Sequence, residues 1–97
     1  MGPTDNNSSS DDNTNTAVDE AQRSLTYGEK AVGLTFNPSN NAIVQEIKER
    51  FAGIIDKCNT ERSLTEDPEV IRMYAIAIHE AQSAQMWAVK AATWESN

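Results

Sequence analysis

The chemistry open to this chain of 97 residues rests on one histidine, one cysteine and a few basic and aromatic side chains. An enzyme needs a nucleophile beside a base, carboxylates across a cleft, or a metal cluster, and the single His79 cannot fill all the roles such a site demands. Ser83 stands four residues after His79, where a helical metal site would place its second ligand, so neither a metal nor a cofactor is expected. Cys58 falls in an apolar stripe and reads as a packed thiol rather than a nucleophile. Gly28 and Gly33, in TYGEKAVG, lack the spacing of a phosphate-cradling loop. No catalytic residue is assigned.

Two patterns point to binding instead. Arg72, His79 and Met86 recur every seven residues, and so lie along one line of a helix that drifts by about 20° per step, with Lys90 one turn beyond. In a cyclic assembly that line would gather Arg72 into a ring of cations suited to a compact polyanion. As a solvated strip, Arg72 would instead pair with Glu69 or Glu80, and the spacing leaves both readings open. The segment TYGEKAVGLTFNPS joins Tyr27 and Phe36 to Lys30 and Asn37. Aromatic faces for bases, with a cation and an amide for phosphates and base edges, are what a nucleotide pocket uses. The same residues would equally serve as a loop whose aromatics cap a core and whose Asn37-Pro38 makes a turn.

The elements that must hold these groups are helical. From Ile43 the apolar residues Val44, Ile47, Phe51, Ile54 and Cys58 follow at steps of three and four, widened by Ile43 and Ile55, which predicts an amphipathic helix over roughly 41–60. Ser39, Asn40 or Asn41 is placed to cap it, and Gln45, Glu46, Lys48, Glu49, Arg50, Asp56 and Lys57 read as its solvated face. Asp67-Pro68 then forms a helix entrance, with aspartate as N-cap and proline first inside, for a second helix over roughly 68–94 packed antiparallel on the first. Upstream, Leu25 to Asn41 reads as a shaped loop, and Ala17 to Ser24 as a short helix.

The second helix predicts more than a hairpin. Val70, Tyr74, Ala77, Ala81, Ala84, Ala88 and Ala91 make one seam, while Ile71, Ile78, Trp87 and Trp94 lie off it. One partner helix cannot cover so wide an apolar surface, so other copies of the chain are expected to. The fold class is therefore all-α: a two-helix antiparallel hairpin assembled into a homo-oligomer. Residues 1–16 are expected to form a disordered polar tail, because Thr4 to Thr16 contains only Thr, Asp, Asn and Ser, and residues 17–97 the hairpin domain.

Lys+Arg number 8 against Asp+Glu 15, for a formal charge of -7, and twelve of the acids lie beyond residue 16. Polymeric nucleic acid is not an expected partner for such a chain, since its binding requires clustered cations, although a small anion needs only two or three. The lone cysteine cannot pair within the chain, and no apolar run approaches a membrane span, so an intracellular compartment without membrane insertion is expected.

Taken together, TFNPS, VQEIK and above all RMYAIAIHEAQSAQMWAVKAAT resemble the phage sponge family that inhibits CBASS signalling, whose hairpin domain is shared with inhibitors of Thoeris signalling. The resemblance spans roughly Tyr27 to Trp94. It implies a compact oligomer, typically a hexamer, that holds cyclic nucleotides intact in the cytoplasm of the infected bacterial host and performs no catalysis. By position it makes Phe36 the residue that stacks on a base of a cyclic dinucleotide and Lys48 the lysine that meets a phosphate, with Asn37, Tyr27 and Lys30 completing an interchain pocket. Phe36 stands where the family commonly has tyrosine, so stacking is kept and a hydroxyl lost. It further implies a three-fold pore for cyclic trinucleotides at Arg72 and His79, the histidine replacing a threonine. Cyclic ADP-ribose signals, captured by the anti-Thoeris relatives, are compatible with the same residues. The alternative is an oligomeric helical-hairpin adaptor that binds no nucleotide.

Overall fold

A computed structural model describes residues 24–95. The polar tail and most of the helix expected over residues 17–24 lie outside the described residues. Within them the chain is all helical, with no strand: α1 spans Tyr27–Ala31, α2 spans Ala42–Ser63 and α3 spans Pro68–Ala92.

α1 corrects the reading of residues 25–41 as loop throughout. A five-residue helix is too short to persist on propensity, and both of its ends are fixed by specific contacts. The Thr26 hydroxyl accepts from the Glu29 N–H at 3.0 Å, and the Glu29 carboxylate accepts in return from the Thr26 N–H at 2.9 Å, a reciprocal capping box. At the other end Gly33 takes φ +63°, and the N–H groups of Gly33 and Leu34 donate to the carbonyls of Lys30 and Glu29. Glycine adopts that left-handed conformation without a Cβ penalty, and the two bonds close the helix as a Schellman motif.

Gly28 lets α1 touch α2. Its N–H donates to the Asp56 carboxylate at 2.7 Å, and a Cβ there would stand 2.2 Å from the backbone oxygen of Ala52. Gly28→Ala must lever α1 away from α2 and is expected to cost about 1–3 kcal/mol, read as a lower urea midpoint with an unchanged slope. Gly53→Ala is the control. A Cβ at Gly53 meets nothing, and alanine in a helix interior is better than glycine by about 0.5–1 kcal/mol.

The α2 N-cap is Asn41, whose side chain accepts from the N–H groups of Ile43 and Val44. Asp67 caps α3 by accepting from the Glu69 N–H at 3.0 Å, with Pro68 as the first helical residue. α2 runs three residues beyond the expected 60, and α3 stops two short of 94.

The two long helices pack antiparallel across a core of Val32, Leu34, Ala52, Ile55 and Ile78, with Ala31, Phe51, Cys58 and Ala81 at its margin. Cys58 is a free thiol packed there. On α2 the buried line is Val44, Lys48, Ala52 and Ile55, while Ile43 and Ile54 face out. On α3 the buried residues are Ile78 and Gln85; Ala77, Ala84 and Ala91 of the expected seam are exposed. The inward face of α3 is thus centred on Ile78 and takes in only part of the seam: Ala81 packs at the core margin, and Val70, Tyr74 and Ala88 are half-buried. It leaves Met73, Ile76, Trp87 and Trp94 uncovered in a single chain.

Candidate functional site

At the end of the hairpin remote from the α2–α3 connection, the chain encloses an open cleft of about 440 Å³. One wall is Phe36 to Ser39, Asn41, Val44 and Lys48; the other is Val89, Ala92, Thr93, Trp94 and Glu95, the last turn of α3 and the residues that leave it.

Local hydrogen bonds shape the first wall. The Asn37 side chain binds the Asn41 backbone twice, donating from Nδ2 to its carbonyl at 2.9 Å and accepting from its N–H at 3.1 Å. The Asn40 N–H donates to the Asn37 carbonyl, and Asn40 itself takes φ +51°, a conformation asparagine tolerates better than most residues. Asn37 therefore shapes the loop that carries Phe36.

Lys48 is the centre of this wall. Only 5% of it is exposed, which corrects its assignment to the solvated face of α2. Its Nζ donates to the Gly33 carbonyl at 2.9 Å and to the Phe36 carbonyl at 2.5 Å, and it lies 5.5 Å from the centroid of the Phe36 ring. A lysine has three donors, so one is left without a partner among the described residues. Burial against two carbonyls and a ring face fixes both the cation and the aromatic beside it. Phe36, in contrast, is 72% exposed: the backbone is anchored and the ring is free on its outer side.

Phe36, Asn37 and Lys48 thus come together in one cleft, whereas Tyr27 and Lys30 do not join them within a chain. The Tyr27 ring lies under the Arg62 guanidinium at 5.4 Å, near the far end of α2. Lys48 and Arg62 are fourteen residues apart, or roughly 21 Å along the helix at 1.5 Å per residue. Lys30 is exposed on α1. The second wall, with Trp94 and Glu95, was not singled out for binding in the sequence; its signal was a large aromatic at the end of the expected helix and off the expected seam.

Arg72 is exposed and held by Glu69, its Nε and Nη2 donating to the two carboxylate oxygens at 3.1 and 2.5 Å. This pairing holds the Glu69 carboxyl below its ordinary value of 4.5 and pushes the Arg72 guanidinium up. A depressed carboxylate contributes above its ordinary value and loses that contribution as the pH falls through the lowered one; for so exposed a pair the effect on stability is small. His79 sits apart from Arg72, in a shallow depression of about 370 Å³ with Ala31, Gln82, Ser83, Gln85 and Met86. No cluster of metal-ligating side chains occurs among the described residues, and none of their helices is long and apolar enough to cross a membrane.

Fold and cleft together define a small all-α hairpin module that offers a ligand-sized opening, with an exposed aromatic above a buried lysine. The model of the family described as Acb2/Tad1, hairpin domain, matches residues 29–93, which is 65 of the 97 residues, and the chain belongs to that family of phage anti-CBASS and anti-Thoeris sponge proteins. The family is one of binding rather than catalysis. Neither the curated proteins nor the solved structures gave a match.

Proposed function

We propose that this protein sequesters cyclic nucleotide second messengers intact, cyclic dinucleotides first among them, and so blocks CBASS-type signalling in the cytoplasm of an infected bacterial host. Family membership supports the class of ligand. The observation that carries the reading to particular residues is the pairing of an exposed Phe36 ring with the buried Lys48 amine at one cleft. A ring open on one face stacks a base, and a preset cation with a spare donor receives a phosphate without a new ordering cost. Sequestration follows by mass action when the protein is in excess and binds more tightly than the host effector.

The functional unit in this proposal is a homo-oligomer, a hexamer by family resemblance, in which Tyr27 and Lys30 of another copy complete the pocket. At a separate three-fold pore several copies of Arg72 and His79 meet to receive cyclic trinucleotides. The uncovered Met73, Ile76 and Trp87 on α3 favour assembly. They also support the second reading, an adaptor hairpin that assembles and ignores nucleotides.

The deciding experiment mixes purified protein with cyclic di- and trinucleotides and cyclic ADP-ribose isomers, removes unbound ligand by filtration, denatures the protein and identifies what is released by mass spectrometry. An intact messenger in the protein fraction supports sequestration. Ligand wholly in the filtrate leaves the adaptor, and linear fragments mean a catalyst. Arg72→Ala is expected to abolish trinucleotide retention and leave dinucleotide retention within about twofold, since Arg72 lies outside the Phe36 cleft. Loss of both, with a smaller sedimentation coefficient, assigns Arg72 to assembly instead.

A further inference from the structure

We infer that Trp94 is a second base-stacking platform of the Phe36 cleft, so that one ligand carrying two nucleobases is gripped from both walls; this rests on the sequestration reading above. α3 ends at Ala92, and the Thr93 N–H and hydroxyl both turn back onto the Val89 carbonyl. The Trp94 N–H is tied to the Ala91 carbonyl at 3.3 Å. The backbone is therefore held while the indole projects past the helix end. Trp94 is 67% exposed, and among the described residues no cation lies over its ring: Lys90 lies over Trp87, 5.3 Å from that centroid.

The residues beside Trp94 on its wall are short, namely Val89, Ala92 and Thr93, so the indole stands as the one flat apolar surface opposite the Phe36 side. Charge fixes which part of a ligand meets it. Lys48 sits in the first wall and the Glu95 carboxylate in the second. A phosphate is attracted to the former and repelled by the latter, which leaves the base for the Trp94 end. Aromatic stacking tolerates any base, whereas the carboxylate favours a base edge that donates hydrogen bonds. The ligand class is thus a cyclic dinucleotide with its phosphates toward Lys48 and its bases on Phe36 and Trp94.

The test uses the full chain. The protein has two tryptophans, so Trp87→Phe leaves Trp94 as the only indole; cyclic di-AMP and cyclic di-GMP are titrated into that variant, its sedimentation coefficient checked against the natural chain, while retention is followed by filtration, and the Trp94 substitutions are made in the natural chain. Saturable quenching of Trp94 emission at the same midpoint as retention is expected. Trp94→Ala should weaken retention at least tenfold, and Trp94→Phe should restore most of it with an unchanged sedimentation coefficient. Retention without quenching, and within twofold of the natural chain in Trp94→Ala, overturns the inference while sequestration stands. A changed sedimentation coefficient in Trp94→Ala that phenylalanine does not correct also overturns it, making Trp94 an assembly residue. If the natural chain retains neither dinucleotide nor any other cyclic messenger, the sequestration reading fails and this inference with it.

Discussion

Phe36→Ala is expected to weaken cyclic dinucleotide binding by about 1–3 kcal/mol, roughly fivefold to 150-fold in dissociation constant, with a melting temperature lowered by no more than about 8 °C. The separation of the two effects follows from where Phe36 sits. Its ring is largely exposed, so truncation opens no cavity in the core of Val32, Leu34, Ala52, Ile55 and Ile78. The bonds that fix its backbone, from Lys48 Nζ to its carbonyl and from its N–H to the Gly33 carbonyl, survive the change. What is lost in the free protein is a cation–π contact at 5.5 Å, worth about 0.5–1 kcal/mol for an accessible ring. Calorimetric titration alongside a thermal melt measures both quantities. Unchanged affinity would remove Phe36 from the ligand site, and a large drop in melting temperature would make it a structural residue. Phe36→Tyr, which adds a hydroxyl to the ring, should keep the affinity within a few-fold.

Which of these features were legible in the sequence depends on how local their causes are. Asp67-Pro68 and the asparagines before Ala42 mark helix entrances through bonds made within three residues, and both N-caps form there. Periodicity located α2 and α3 within a few residues, but it could not orient them. α3 is apolar or small around much of its circumference, so several stripes competed for the inward face, and packing against α2 buried Ile78 and Gln85 most deeply while leaving Ala77, Ala84 and Ala91 of the seam exposed. α1 was hidden for a different reason. Gly28 and Gly33 read as breakers, yet one is the close-contact point on Ala52 and the other the left-handed helix stop. Lys48 shows the same limit at the site. A lysine in an amphipathic pattern counts as surface unless backbone carbonyls twelve and fifteen residues upstream return to meet it, and no spacing rule encodes that return.

Lys48→Met is expected to have the larger effect on folding. Methionine keeps a comparable unbranched stem in the buried position and removes all three donors. The Phe36 carbonyl then loses its bond to Lys48, and the Gly33 carbonyl keeps only the Phe36 N–H. Hydrogen bonds from a charged donor contribute about 1.5–3 kcal/mol each, and a buried acceptor left unmatched costs about 1–3 kcal/mol. A loss of about 2–5 kcal/mol follows, against a total stability of roughly 5–15 kcal/mol for a domain of ordinary size, and a melting temperature lower by about 10 °C or more. Because the lost bonds tether the Gly33–Phe36 turn to α2, amide exchange should rise first at Leu34 to Asn37, before the interior of α2 and α3 is affected. Ligand retention should fall with it, since Phe36 loses its fixed position and the phosphate its cation. Lys48→Arg separates the two roles. The guanidinium keeps a positive charge but is too large and planar to point its donors at both carbonyls in the same space, so phosphate attraction persists while the turn loosens. Partial retention in Lys48→Arg with a lowered melting temperature is the expected pattern. A Lys48→Met protein that melts like the natural chain and has lost only its ligand would show that Lys48 serves the phosphate alone and that the turn is held by other bonds.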